Sequence, residues 1–205
     1  MSVMQLVLAT NNEDKIREIK HLLNDLPVTV LTREDFLEFP DVDETGATLE
    51  ENALLKASAI AKFCDLPALA DDSCLEVDAL YGAPGVYSSR YAGKDATYAD
   101  NNRKLLQELQ DVPQDKRTAR FRCVIAIDWA EGTTDTVEGV AEGYITEDTA
   151  GREGFGYDPV FFYPPEGKRF SEMTLGEKNL VSHRGKALQK ARDVIIERLN
   201  RQKQL

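Results

Sequence analysis

Asp71-Asp72-Ser73 places two adjacent carboxylates and a hydroxyl directly after the apolar run Pro67-Ala68-Leu69-Ala70. Carboxylate oxygens suit Mg2+, which takes one or two of them and completes its shell with waters and substrate phosphates. Strand ends in open α/β sheets also commonly face ligand crevices. Glu44, in the acidic run Asp41-Val42-Asp43-Glu44, is a further candidate of the same kind. Lys15 and Lys56 are cations able to balance part of a triphosphate's charge. The chain has no Gly-x-x-x-x-Gly-Lys-Ser/Thr loop, which argues against an ordinary P-loop NTPase. In Gly154-Phe155-Gly156-Tyr157-Asp158-Pro159, two glycines flank an aromatic residue and let the backbone approach a flat ligand. Phe155 offers a stacking face for a base, and Asp158 an acceptor for a base N–H. Ser182-His183-Arg184, at a helix start, offers donors to the carbonyl oxygens of a base. Each group has an ordinary structural alternative. Asp72 or Ser73 could cap a short helix, Glu44 could be a solvated loop charge, Phe155 could sit in the core above a glycine turn, and His183 and Arg184 could follow a simple cap.

The elements that must position these groups follow from periodicity. Residues 3–9 form an almost continuous apolar run, suited to a strand buried on both faces, and end in the polar turn Thr10-Asn11-Asn12. Ile16, Ile19, Leu22, Leu23 and Leu26 then lie on one helical stripe that Pro27 stops. The helix N-terminus after that turn is a corner able to hold an anion. Thr48 and Glu51 have capping-box spacing and open a helix that runs to about Phe63. The apolar run at 67–70 reads as a short strand ending at Asp71, and residues 79–95 as a glycine- and proline-punctuated loop. A helix over 97–109 precedes β-rich sequence at 121–129 and 135–145, joined at Glu131-Gly132, with a further strand at 160–163 and a final helix over 184–200. This order predicts an α/β chain: a mixed-sheet, two-lobed fold with a central cleft, one domain over residues 1–205.

With 36 acidic against 25 basic residues, the net charge is −11, which disfavours binding of nucleic-acid polymers. The charge is uneven: residues 164–205 carry +5 and residues 1–163 carry −16. Lys186, Lys190, Arg192, Arg198 and Arg201 read as the solvated face of the last helix. Cys64, Cys74 and Cys123 are odd in number and form no Cys-x-x-Cys pair, so a reduced, cytoplasmic setting is expected. No stretch approaches the ~18 apolar residues of a membrane span.

Taken together and in order, several motifs carry a resemblance. They are Thr10-Asn11-Asn12 with Lys15; Glu44-Thr45-Gly46 leading to Glu51-Asn52-Ala53 and Lys56; Ala70-Asp71-Asp72-Ser73; the run from Gly82-Ala83-Pro84-Gly85 to Arg90; Gly154-Phe155-Gly156-Tyr157-Asp158-Pro159; and Glu177-Lys178-Asn179 with Ser182-His183-Arg184-Gly185. The chain resembles, over nearly its whole length, the inosine/xanthosine triphosphate pyrophosphatase family. The resemblance implies an α/β homodimer that uses Mg2+ to hydrolyse ITP, dITP and XTP to the monophosphate and pyrophosphate. It implies that Thr10, Asn11, Asn12, Glu13, Asp14, Lys15 and Lys56 hold the phosphates, that Glu44 and Asp72 serve the metal, and that Asp72 is the proton acceptor. Ser73, Phe155, Gly156, Tyr157, Asp158, Lys178, His183 and Arg184 would complete substrate binding. Cys74 stands where the family usually has Gly, and a local adjustment is expected there. Two other functions compete: a phosphatase with Asp71 or Asp72 as covalent nucleophile, and a non-catalytic purine nucleotide sensor.

Overall fold

In the computed structural model, which describes residues 3–202, the chain builds a mixed sheet and five α-helices. The strands are β1 (Met4–Leu8), β2 (Val28–Leu31), β3 (Ala68–Val77), β4 (Pro84–Gly85), β5 (Thr118–Asp128), β6 (Thr134–Ile145), β7 (Phe161–Tyr163) and β8 (Lys168–Arg169). The helices are α1 (Glu13–Leu23), α2 (Leu49–Cys64), α3 (Tyr98–Glu108), α4 (Leu175–Val181) and α5 (His183–Gln202). Strand order is β2-β1-β3-β5-β6-β7-β8, with β4 on β3. β1 pairs in parallel with β2 and β3, whereas β3–β4, β6–β7 and β7–β8 are antiparallel, so the expected mixed α/β sheet is present.

The chain divides into two compact units. The first comprises residues 1–72, 123–139 and 185–205; the second comprises residues 73–122 and 140–184. Residues 1, 2 and 203–205 of the expected domain lie outside the described residues. The boundary falls inside β3, β5, β6 and the first turn of α5.

In the first unit Leu6 and Leu8 of β1, Ile19 and Leu23 of α1, Ile125 and Ile127 of β5, and Leu188 and Ile195 of α5 close one apolar core. Each such side chain contributes about 1.5–3 kcal/mol by leaving water. Three basic residues of α5 are tied to groups on neighbouring segments. Arg192 pairs with Asp25, Lys190 donates to the Glu138 carbonyl, and Arg198 pairs with Glu131 while lying over the Trp129 ring. The second unit has its own core, in which Leu105 and Leu109 meet Phe121, Phe161, Phe170 and Met173. Thr97 and Asp100 cap α3 reciprocally, as Thr48 and Glu51 cap α2 and Thr174 and Glu177 cap α4.

One expectation is overturned. β3 does not end at Asp71 but runs ten residues, with Asp71-Asp72-Ser73 inside the strand, so neither Asp72 nor Ser73 caps a helix. Lysines brought in from α1 and α2 supply the charge that lets two carboxylates lie in a buried strand. β2, α4 and the two-residue strands were also absent from the sequence reading.

Candidate functional site

Two clusters gather the residues singled out by sequence, one in each unit. In the first unit Asn12 caps α1, its Oδ1 accepting from the Asp14 and Lys15 N–H groups at 3.0 and 3.2 Å, while its own N–H donates to Thr10 Oγ1. Those two amides are therefore occupied by the cap itself. Asn11 is exposed and donates to Asp41, Glu13 is exposed, and Asp14 pairs with Arg17. The Lys15 ammonium lies 3.1 Å from Asp71 Oδ2, and the Asp71 side chain has no exposure to solvent.

Lys56 is the centre of this cluster. Its Nζ donates to Glu44 Oε1 at 2.7 Å and to the Asp71 carbonyl at 2.8 Å, and lies 3.5 Å from Asp72 Oδ1. A single ammonium thus draws together the two carboxylates expected to serve a metal. The loop bearing Glu44 is fixed by α2: Gly46 N–H donates to Asn52 Oδ1, and Ala47 and Thr48 N–H to Glu51 Oε2. A Cβ at Gly46 would lie 2.7 Å from both Asn52 Oδ1 and Glu51 Cβ, which accounts for the glycine. Burial pushes the Asp72 carboxyl above the ordinary Asp range, even though Lys56 beside it pulls the other way. Burial opposes charge on Lys56 as well, but Asp72, Asp71 and Glu44 outweigh it and keep the ammonium protonated.

Hard carboxylate oxygens from Glu44 and Asp72 converging on one cation fit a Mg2+ ion. Among the described residues no three His, Cys, Asp or Glu side chains form a ready-made cage.

In the second unit the glycine turn is built around Asp158. Asp158 Oδ2 accepts from Phe155 N–H at 2.8 Å and from Lys178 Nζ at 2.7 Å, with both ion-pair side chains buried. The Lys178 ammonium also lies 4.6 Å from the Phe155 ring centre, and the Arg184 guanidinium 5.2 Å from it, both within cation–π range. Arg184 donates to Ser73 Oγ at 3.2 Å. Phe155 is half-buried and lies outside the apolar core, whereas Tyr157 is buried and donates its hydroxyl to the Ser88 carbonyl. His183, the first residue of α5, is buried against Phe121. Cys74 is accommodated in β3 with its Sγ 3.7 Å from Glu76 Oε1.

The sequence reading missed three contributors here. Tyr98 places its ring 6.0 Å from Phe155, Asn102 Nδ2 donates to the Gly156 carbonyl at 2.7 Å, and Phe121 stacks on His183. No local motif marks them, because each contact joins distant parts of the chain.

Gly154 has φ +76°, and a Cβ there would lie 2.2 Å from Asp158 Oδ2; Gly156 has φ +62° with open space around it. Gly154→Ala is therefore expected to lose more stability than Gly156→Ala, which carries only the backbone cost of positive φ, about 1–2 kcal/mol. Urea denaturation of the pair checks this; equal losses would mean that the Asp158 latch does not depend on Gly154.

The profile of the Ham1 family matches residues 6–194. This chain belongs to the Ham1 family. Among Ham1-related proteins, the dITP/XTP pyrophosphatase of Geobacter sulfurreducens is 52% identical over 189 residues, covering 92% of this chain and 95% of that protein. The dITP/XTP pyrophosphatase of Escherichia coli is 49% identical over 195 residues, covering 94% of this chain and 98% of that protein. A solved HAM1 protein from Coxiella burnetii superposes with a TM-score of 0.86 at 43% identity, over 95% of this chain and 99% of the other.

Proposed function

We propose that this Ham1-family chain hydrolyses deaminated purine nucleoside triphosphates (ITP, dITP and XTP) to the nucleoside monophosphate and pyrophosphate. The observation that carries the proposal is its identity of about one half, over more than nine tenths of its length, to proteins named dITP/XTP pyrophosphatase. The geometry supplies chemistry to match. Water attacks the α-phosphorus, the bond from that phosphorus to the bridging oxygen breaks, pyrophosphate leaves, and Asp72 takes the proton of the attacking water. Burial favours a proton on the Asp72 carboxyl.

Lys15 keeps donors beyond the one facing Asp71 and binds a phosphate oxygen, together with the Thr10 hydroxyl and the Asn11 backbone N–H, while Asn12, whose N–H turns to Thr10 Oγ1, sets the shape of the turn. Glu13 is an anion, so its contribution is its backbone N–H alone, and Asp14, whose N–H is taken by Asn12 Oδ1, contributes by holding the turn in shape. Lys56, whose donors face Glu44, Asp71 and Asp72, acts on the phosphates through its charge while holding the carboxylates in register. Glu44 and Asp72 would hold Mg2+, which when bound neutralises the phosphate oxygens and the leaving group.

At the purine end, Phe155 stacks on the base, with Ser73, Gly156, Tyr157 and Asp158 framing it. Donors from Lys178, His183 and Arg184 recognise the 6-oxo group. Adenine presents an amino donor at that position, which leaves those donors opposed and unpaired, an effective means of rejection. Among the described residues no helix is long and apolar enough to cross a membrane. We further propose a cytoplasmic homodimer.

A nucleotide panel with Mg2+, scoring pyrophosphate against orthophosphate, tests the proposal. Pyrophosphate from ITP and XTP with little product from ATP is expected, and EDTA should abolish it. Orthophosphate as the first product would favour a phosphatase, and nucleotide binding without product a sensor.

A further inference from the structure

We propose that Phe121 is a positioning residue for substrate selection: its ring sets the plane of the His183 imidazole and so the direction in which that imidazole addresses the purine. The inference rests on the functional reading above, in which His183 contacts the base.

Alternation along β5 puts Ala119, Phe121 and Cys123 on the buried side, with the two arginines between them less buried. The Phe121 and His183 rings lie 4.5 Å apart between centroids with only 7° between their planes, a face-to-face arrangement. Phe121 is itself held on other sides, by Phe161 at 4.7 Å and 57°, and by Phe170 at 5.9 Å and 12°. Phe170 also lies nearly parallel to the imidazole, but at 6.4 Å.

The outer torsion of a histidine is broad and has no steep staggered wells of its own. A flat neighbour in contact with one face restricts it. Turning the imidazole about that torsion swings both nitrogens, and hydrogen bonds weaken steeply with misalignment. A 6-oxo group and a 6-amino group occupy the same place and differ only in donor and acceptor character. A well-aimed imidazole distinguishes them, whereas a loosely held one accommodates either. Phe121 touches no reacting atom in this scheme and acts only through His183.

The experiment compares kcat/KM for ITP and ATP in the wild type and in Phe121→Leu, Phe121→Met and Phe121→Tyr. The ITP/ATP ratio does not depend on the fraction of folded enzyme, so a merely structural role would leave it unchanged. Phe121→Leu and Phe121→Met, the second keeping the volume of the site better filled, should lower the ratio by about tenfold, the scale of one aromatic or hydrogen-bond contact. The fall should appear mainly as a higher KM for ITP, with kcat little changed. Phe121→Tyr keeps the flat face and should restore the wild-type ratio. In a His183→Ala background, Phe121→Leu should lower the ratio no further. An unchanged ratio in both Phe121→Leu and Phe121→Met, or a further loss in the His183→Ala background, would overturn the inference alone. A wild type that does not prefer ITP would overturn the functional reading and this inference with it.

Discussion

Asp72→Asn is expected to cut pyrophosphate release from ITP by about 10²–10⁴-fold, the range in which a positioned proton acceptor contributes, while inosine nucleotide binding stays measurable by calorimetry. The carboxamide keeps the shape of the side chain and an oxygen toward Lys56, but it cannot take up a proton or offer an anionic oxygen to Mg2+. Stability should not fall with activity. Asp72 is a buried carboxylate whose ionised form is disfavoured by its surroundings, and Lys56 keeps Glu44 and the Asp71 carbonyl as partners. An inactive variant with an unchanged or raised Tm is the pattern of a group retained for chemistry at some cost to the fold. Near-normal turnover in Asp72→Asn would sink the assignment. Asp71→Asn gives an internal comparison: Asp71 has no solvent-exposed side-chain surface and faces Lys15. If it were a covalent nucleophile, a phosphorylated protein would be trapped on acid quenching; none is expected.

The second large effect is on stability. Lys178→Met should destabilise the fold by about 3–5 kcal/mol, because it removes the ammonium that sits 2.7 Å from Asp158 Oδ2 in a pair whose two side chains are 4% and 3% exposed. Attraction between buried charges offsets their desolvation only while both are present. Adding Asp158→Leu to Lys178→Met removes the buried anion and should recover most of the loss, since apolar replacements of buried pairs are often neutral. Binding should not recover with it. Phe155 N–H would lack its acceptor, and of the two cations over the Phe155 ring only Arg184 would remain. KM for ITP should stay high in the double variant although its urea midpoint approaches that of the wild type. A single variant losing less than about 1 kcal/mol would mean that the pair is relaxed by water.

How far these clusters could be read beforehand depended on the range of the interactions involved. α2 was legible from Thr48 and Glu51, whose reciprocal cap is local, and α1 from its apolar stripe. β3 was cut short because two aspartates read as a strand terminus. What keeps them inside the strand is Lys15 and Lys56, which reach them from other elements. β2, with only four half-buried or exposed residues, and α4, with seven, are too short to show a period. The residues of the Phe155–Lys178–Arg184 cluster were identified as types, but the order among them was not. Asp158 looked like an acceptor for a base, whereas its Oδ2 already receives Phe155 N–H and Lys178. Asn102 reaches Gly156 across 54 positions of sequence, and no spacing within a helix announces such a contact.

The division of the chain bears on how such a protein can be inherited. Asp72 is the last residue of the first segment of one unit and Ser73 the first residue of the other, and each unit is assembled from separated stretches of polypeptide. Three strands and the start of α5 carry the chain across the boundary, so no single cut in the gene yields either unit whole. The lysine–carboxylate cluster and the Phe155–Lys178–Arg184 cluster therefore cannot be exchanged as modules by recombination at one point. Under the proposed base recognition, a change of base preference has to come from substitutions within the second set, made while the first stays in the same reading frame and the same molecule.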